Sequence, residues 1–446
     1  MPLLTTLMQA FRDTDDQPVL GYARFDGAQL IDAHFSGALF SGILEFAGAR
    51  FSGSTWFTGA QFSRDAVFVN AQFGGFARFS GARFDGDADF TRVRFDGDAG
   101  FGFARFSGDA RFGDARFSGE ASFDGARFDT AQQFGRVRAK ALSLDRAEFA
   151  RSVEVLVEAR SVSCRSTRFE DGVTLRVRYG TVSAAGTVFG AASSIGGSTG
   201  PHPWWSDEPA WLDKLTERQD RSRTGEPTLT SLIGTDVSNL VLTDVYLGWC
   251  DFVGAHRLDQ LRVEGRCEFR EPPWGWRWTR RQMLAEELHW RGRRGRPIGY
   301  INAGQVGPER LAALYRSLRK AFEDSKNEAG AGDFYYGEME MRRHSTGTRR
   351  AERGILWVYW LLSGYGQRAG RALAALLVLI ATVAVLLAVW GQSPAEAAQI
   401  AVGAVVLRDP GTKLTEAGQW TVMVARVLGP VLLALAVLAV RARVKR

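Results

Sequence analysis

The chain has 446 residues, of which 56 are Lys or Arg and 49 are Asp or Glu, so its formal net charge is +7. This length exceeds one ordinary domain and predicts two or three structural units. Residues 21–200 carry 21 basic and 20 acidic side chains, a balance that argues against a surface imitating duplex DNA. The three cysteines (Cys164, Cys250 and Cys267) form no C-x-x-C pair, which favours free thiols in a reducing compartment.

The first twenty residues predict an N-terminal cap. Leu3, Leu7 and Phe11 fall on one helical face, and an amphipathic segment of this kind can cover the open end of a repeat structure. The same stretch has neither a basic start nor a long apolar run, so we expect no secretory signal and a cytoplasmic location for the repeat region.

Phenylalanine then recurs at alternating spacings of five and six residues. Two interleaved series result, each with a period of eleven, and small residues (mostly Ala, as in Ala49, Ala60 and Ala71) stand two positions before the ring. The candidate core positions are Phe46, Phe51, Phe57, Phe62, Phe68, Phe73, Phe79, Phe84, Phe90, Phe95, Phe101, Phe106, Phe112, Phe117, Phe123 and Phe128.

This period fits neither one face of an α-helix nor a long strand. A repeat so short buries its Phe only when successive turns stack. We therefore predict a four-sided coil in which Phe and Ala point inward, charged residues point outward, and Asp-Gly pairs such as Asp85-Gly86 form the corners. Two eleven-residue units make a 22-residue coil, which rises by about 4.8 Å.

The register of Ala23-Arg-Phe25, Ala28-Gln-Leu30 and Ala33-His-Phe35 resembles the pentapeptide-repeat family, whose consensus is A-(D/N)-L-x-x. The chain differs in using Phe almost throughout and in the extra residue of every second unit. The resemblance implies an all-β solenoid, a right-handed quadrilateral β-helix. We assign it to residues 21–195.

The repeat changes after Phe134. Phe149, Phe169 and Phe189 recur at twenty, which predicts further coils of that length. Residues 196–228 start with a breaker-rich loop and predict a loop or helical insertion, and residues 229–265 predict closing coils.

Residues 266–306 form a basic Trp/Arg linker. We expect lipid contact from Trp274, Trp276, Arg277, Trp278, Arg280 and Arg281. The alternative is a solvated linker whose Trp rings pack on the end of the solenoid. Nucleic-acid binding is not expected.

The C-terminal part predicts helices and a membrane. We assign a helical hairpin to 307–345, an interfacial segment to 346–371, transmembrane helices to 372–391 and 420–440, an external loop to 392–419 and a cytoplasmic tail to 441–446. Basic residues flank the two spans on the side of both termini, which places the solenoid and the C-terminus in the cytoplasm at the inner membrane. Arg426 is an intramembrane charge. Its side chain either has a function within the membrane or simply extends (snorkels) to the membrane surface.

Several C-terminal motifs resemble a membrane-anchored bacterial subfamily of pentapeptide-repeat proteins: Gly332-Asp-Phe-Tyr-Tyr-Gly-Glu-Met-Glu-Met-Arg-Arg, Leu356-Trp-Val-Tyr-Trp-Leu-Leu-Ser-Gly-Tyr-Gly and the terminal Arg-Val-Lys-Arg. The resemblance implies no particular activity.

The sequence contains no recognisable catalytic motif and no metal-ligand spacing, so we expect no enzyme and no cofactor. The first hypothesis is a membrane-tethered scaffold that binds unknown protein partners on the solenoid faces and contacts lipids. The second is a channel-like or sensor protein, because a two-helix pore domain also consists of one span, a short segment and a second span. However, the position of the ion-selectivity filter in such a domain is occupied here by Val405-Val-Leu-Arg-Asp-Pro-Gly411, which does not have the sequence of a filter. The third is a topoisomerase-binding duplex mimic, which the charge balance disfavours. The oligomeric state stays open.

Overall fold

The computed structural model describes residues 19–198, 226–271, 281–292, 306–408 and 414–444. The chain divides into two units, Met1–Val306 and Gly307–Arg446. Most of the predicted N-terminal cap and most of the predicted insertion lie outside the described residues, as do Trp274, Trp276, Arg277, Trp278 and Arg280. The last two residues of that cap, Val19 and Leu20, form the first strand of the solenoid.

The first unit is a stack of short strands. In chain order they are β1 Val19–Leu20, β2 Ala23–Arg24, β3 Gln29–Ile31, β4 Leu39–Phe40, β5 Leu44–Glu45, β6 Arg50–Ser52, β7 Thr55–Trp56, β8 Gln61–Phe62, β9 Ala66–Val67, β10 Gln72–Phe73, β11 Ala77–Arg78, β12 Arg83–Phe84, β13 Ala88–Asp89, β14 Arg94–Phe95, β15 Ala99–Gly100, β16 Arg105–Phe106, β17 Ala110–Arg111, β18 Ala115–Ser122, β19 Arg127–Phe128, β20 Gln133–Ser143, β21 Glu148–Phe149, β22 Val153–Ser163, β23 Arg168–Phe169, β24 Val173–Arg178, β25 Thr181–Ser183, β26 Val188–Phe189, β27 Ser193–Gly197, β28 Thr228–Ser231, β29 Leu240–Thr243 and β30 Arg262–Glu264.

These strands form four parallel ladders, one for each side of a coil. Face 1 runs β1-β4-β8-β12-β16-β19-β21-β23-β26, and face 2 runs β2-β5-β9-β13-β17. Face 3 runs β3-β6-β10-β14, and face 4 runs β7-β11-β15. Faces 3 and 4 continue into β18 and then join, because the longer strands β20 and β22 extend across the corner between them. The predicted β-solenoid is therefore confirmed.

The pairing register gives the length of each coil. Gln61 pairs with Arg83 and Arg83 with Arg105, so these coils have the predicted 22 residues. Further along face 1, Glu148 pairs with Arg168, a step of 20 residues. The coil shortens where the strict Phe repeat ends, as the spacing of Phe149 and Phe169 predicts.

The core of the 22-residue coils is a set of stacked aromatic columns. All sixteen predicted core phenylalanines are buried. Phe57, Phe79 and Phe101 stack nearly parallel with ring centroids 4.8 Å apart, and Phe90 meets Phe79 edge-on at 5.5 Å. Each edge-to-face or offset pair of this kind contributes about 0.5–1.5 kcal/mol beyond simple burial. The rings therefore stabilise the stack along its axis and across it.

The corners are of two kinds. In each five-residue unit, one residue adopts the left-handed backbone region, for example Gly59, Asn70 and Gly81. In the six-residue units, Gly86 has no such φ value, but a Cβ on it would lie 2.6 Å from the carbonyl carbon of Arg64. The predicted Asp-Gly turn geometry is therefore wrong for this corner, where glycine at 86 is favoured because its coil lies close to the preceding one; in that preceding coil Arg64 occupies the equivalent position.

Acidic residues bind the next coil at the same corner. The carboxylate of Asp65 accepts a hydrogen bond from the Asp87 amide at 3.0 Å, and the carboxylate of Asp87 accepts one from the Asp109 amide at 2.9 Å. In the shorter coils threonine replaces one inward alanine, and its hydroxyl donates to a carbonyl of an adjacent coil, as Thr167 does to Leu144 at 2.7 Å. These hydroxyls are therefore satisfied between coils, whereas the buried hydroxyl of Thr55 on face 4 has no hydrogen-bond partner among the described residues.

The helices follow the solenoid. They are α1 Ala285–Trp290, α2 Pro308–Asp324, α3 Glu328–His344, α4 Arg350–Ser363, α5 Ala369–Val389, α6 Pro394–Val405 and α7 Glu416–Val444, with a short 3-10 helix at Leu258–Gln260. Helix α1 belongs to the first unit and the others to the second. Helices α2 and α3 form the predicted hairpin around Tyr315, Phe322 and Phe334. Helices α5 and α7 are long and apolar enough to cross a membrane.

Candidate functional site

Face 4 carries aromatic side chains near its start, of which Trp56 is half-buried and the others are exposed. His34 and Trp56 stand side by side on this face with ring centroids 3.9 Å apart. Arg78 occupies the next rung after Trp56. Phe76 and Phe103, at the two corners that bound face 4, are 53% and 69% exposed. We call His34, Trp56, Phe76, Arg78 and Phe103 the aromatic patch.

Phe103 is held in an unfavourable backbone conformation. Its φ is +57°, whereas Gly59, Gly81 and Gly125 occupy the corresponding position of other coils. The left-handed region costs a residue with a Cβ about 1–2 kcal/mol. The chain thus accepts strain and keeps a large apolar ring in solvent, a combination that favours a binding role for the side chain.

The other faces carry charges that largely neutralise one another. On face 1, Arg105 and Arg127 both bind Asp129, at 3.0 and 2.8 Å, and Arg127 also reaches Glu148. Burial alone would raise the pKa of Asp129, but hydrogen bonds from the two guanidinium groups outweigh it and lower the pKa. These ladders give a nearly neutral surface, as the charge count predicts.

One ion network on face 3 is buried. Glu158 accepts hydrogen bonds from Arg138 at 2.9 Å and from Arg178 at 3.1 Å, and less than a tenth of the Glu158 side chain is exposed. These residues lie on three successive coils, 20 residues apart. The network therefore fixes the register of the shorter coils.

A second buried cluster lies where α1 covers the last coils. The Arg281 guanidinium binds both oxygens of Glu287 at 2.6 Å, and Arg291 binds the same carboxylate at 2.8 Å. Glu286 accepts a hydrogen bond from the Phe252 amide at 2.5 Å. Burial, and then the nearby charge of Asp251, raise the pKa of Glu286 to about 8.

Buried charges also hold the second unit together. Arg316 and Arg319 of α2 bind the buried Glu338 of α3 at 2.9 and 3.0 Å. The hydroxyl of Tyr365 donates to Glu340 at 3.1 Å. The sequence leaves open whether these glutamates bind a partner or lie on an exposed face. Both carboxylates are buried, so neither lies on an exposed face. Glu338 joins α3 to α2, whereas Glu340 also pairs with Arg343 of its own helix at 2.8 Å, as the second alternative predicts.

Helix α6 packs between α5 and α7. Its buried side, with Ile400 and Ala401, contacts Leu387 of α5 and Val422 of α7. Val405 at the end of α6 contacts Leu376 and Leu432, which lie near the middle of their helices. The segment after α5 therefore turns back alongside the two long helices.

Arg426 lies beside the end of this returning segment. Its guanidinium donates to the backbone carbonyl of Arg408 at 3.1 Å. The contact connects α7 to the turn that follows α6.

The family comparison decides the nature of the repeat region. A family model described as pentapeptide repeats (9 copies) matches residues 46–94 and 90–137. This region is a pentapeptide-repeat β-solenoid. No curated protein and no solved structure matches the chain.

The pentapeptide-repeat solenoid and its flanks contain few groups suited to chemistry. In the described ranges, no three His, Cys, Asp or Glu residues come together as a metal site. Burial raises the pKa of the Cys164 thiol to about 12, which leaves it protonated and unreactive.

The predicted lipid contact of Arg281 is wrong, because its side chain is buried and paired with Glu287. The aromatic patch was not predicted, although Phe76 and Phe103 stand outside both Phe series and could have been recognised by that departure. The Arg138, Glu158 and Arg178 network was also missed. Its spacing of 20 is the same as that of Phe149 and Phe169.

Proposed function

We propose that the chain is a membrane-tethered scaffold whose pentapeptide-repeat solenoid binds a protein partner through the aromatic patch. The exposed, strained Phe103 carries this proposal, because binding would remove its ring from water. Trp, Arg and Phe side chains are also enriched at the centres of protein interfaces. The near-neutral faces elsewhere disfavour a nucleic-acid partner.

The proposed tether is the pair α5 and α7. Each is longer than the about 20 residues needed to cross a bilayer, and large apolar side chains such as Leu377 and Val437 are exposed. Arginines before α5 and after Val440 favour a cytoplasmic position for the solenoid and for the C-terminus.

The test is affinity capture with the full chain in lipid nanodiscs. Phe76→Ser and Phe103→Gly together remove the exposed rings without touching the core. A matched control, Arg127→Gln on face 1, keeps the patch. We expect a partner recovered with the wild type and the control to be lost with the double variant. Equal recovery with all three proteins would show that the patch does not bind that partner.

The packing of α6 favours a second candidate, a channel-like membrane domain. A short helix that returns between two long apolar helices has the arrangement of a pore helix. However, Arg408 and Arg426 bring positive charge to the end of that helix, a charge that opposes cation flow. Ion flux through liposomes containing the full chain, changed by Arg426→Gln, would support the channel-like function; absence of flux would remove it.

A further inference from the structure

Helix α4 has two different sides. Its inner side, with Leu356 and Trp360, packs on Tyr336 and Met339 of α3. The indole NH of Trp360 donates to the Tyr336 hydroxyl at 3.0 Å. Its outer side presents four large apolar side chains that are between 49% and 70% exposed: Ile355, Trp357, Val358 and Leu361.

The position of α4 in the chain indicates what covers this outer side. Gly364, with a φ of +55°, ends the helix, and α5 begins only five residues later at Ala369. If α5 enters a bilayer, α4 lies at the bilayer surface. An apolar helix face at that depth inserts among the lipid headgroups and the upper acyl chains.

Arginines surround α4 on the same side of the membrane. Arg349 and Arg350 are exposed at its start. At its other end the guanidinium groups of Arg343 and Arg371 lie 4.4 and 5.2 Å from the centroid of the Trp360 ring. The acidic residue of the first turn, Glu352, pairs with Arg342. This excess of positive charge matches the negative surface of a cytoplasmic leaflet.

We infer that α4 lies flat on an anionic bilayer, with Val358 and Leu361 below the headgroups and Arg349 and Arg350 against lipid phosphates. This inference rests on the proposed membrane tether and adds a lipid-binding surface to it. Trp360 of α4 donates to Tyr336 of α3, and Tyr365, in the turn just after α4, donates to Glu340 of α3. The lipid contact of α4 therefore also fixes the helical hairpin relative to the membrane.

The experiment places one nitroxide label at a time on the full chain in vesicles of phosphatidylglycerol and phosphatidylcholine. The half-buried Cys267 is changed to Ser, and Val358→Cys, Leu361→Cys, Leu377→Cys and Asp324→Cys supply the label sites. Collisions with oxygen report lipid, and collisions with a water-soluble nickel complex report solvent. Asp324, at the turn of the hairpin, is the solvent control, and Leu377 in α5 tests the tether.

We expect the labels at 358, 361 and 377 to collide with oxygen and to be shielded from nickel, and the label at 324 to show the reverse. Nickel access at 358 and 361 with a shielded 377 would refute the inference and leave the tether intact. Nickel access at 377 would refute the tether itself.

The lipid charge is tested separately. In vesicles of phosphatidylcholine alone, the label at 358 should lie less deep, and the combined Arg349→Gln and Arg350→Gln variant should show the same reduced depth in both lipids. Equal depth of the unchanged protein in both lipids would refute the contact with anionic headgroups.

Discussion

Gly81 and Gly86 lie five residues apart in one coil, yet the structure predicts very different costs for replacing them with alanine. A Cβ on Gly81 would meet no atom within 4 Å, so the only cost is its φ of +68°. A Cβ on Gly86 would lie 2.6 Å from the Arg64 carbonyl carbon and 2.7 Å from the Asp65 amide nitrogen. Carbon atoms normally stay about 3.5–4.0 Å apart, so the two coils must separate locally.

That separation acts on two hydrogen bonds between the coils. The Ala66 amide donates to the Asp87 carbonyl at 2.8 Å, and the Asp87 amide donates to the Asp65 carboxylate at 3.0 Å. Losing both costs about 1–3 kcal/mol, and overpacking adds about 1–3 kcal/mol. Gly86→Ala should therefore destabilise the coil by about 2–6 kcal/mol, against about 1–2 kcal/mol for Gly81→Ala.

Hydrogen exchange of the full chain, followed on peptides spanning residues 77–95, measures this difference as local opening. Gly86→Ala should accelerate exchange at least about 30-fold, since each 1.4 kcal/mol is tenfold. Gly81→Asn is the matched control, because Asn70 already holds the same place in the preceding five-residue unit, with a φ of +58°; it should change exchange little. Equal acceleration by Gly81→Ala and Gly86→Ala would refute the argument from contact between coils.

Three further changes test the core and the buried charges. Phe101→Ala removes a ring stacked on both sides and should cost about 3–5 kcal/mol; a urea midpoint close to that of the wild type would contradict the aromatic columns. Arg138→Gln leaves Glu158 buried with one fewer cation and should lower the free energy of unfolding by about 3–5 kcal/mol. Arg127→Gln, which breaks an exposed ion pair, is the comparison; if Arg138→Gln destabilised the protein less than Arg127→Gln, the buried network would not fix the register of the coils. The pKa of Glu286, raised to about 8 from 4.5, means that the folded chain holds a proton that the unfolded chain releases. Stability at this end of the solenoid should therefore be full below pH 4.5 and fall as the pH rises to 8. Urea unfolding followed by tryptophan fluorescence should show this slope and lose it in Glu286→Gln; a slope unchanged by the substitution would assign it to another group.

The architecture was predictable because the Phe repeat is local and strict. The Phe series from Phe46 to Phe128 was enough to predict the sides of the coil, its length of 22 residues and which side chains point inward, because none of these depends on a contact between distant positions. The long apolar stretches around Leu377 and Val437 were equally visible, since crossing a bilayer requires length and composition alone.

Contacts between coils were not predictable in the same way. The need for glycine at 86 depends on how closely two coils approach, and the Asp-Gly pair gives the same sequence signal at an ordinary turn. The burial of Arg281, Glu286 and Glu287 depends on α1 folding back over the last coils. The composition of this stretch predicted lipid contact or a solvated linker, because the sequence does not reveal where a helix docks.

The register around residues 198–226 has a consequence for how such chains change. Ile195 pairs with Leu242, 47 positions away, whereas Leu175 pairs with Ile195 at 20. The chain leaves at the corner between faces 3 and 4 and re-enters the same column. A corner is thus a position where whole segments can be inserted or exchanged without changing the alignment of the ladders. New binding elements could be grafted there while the rod keeps its pitch.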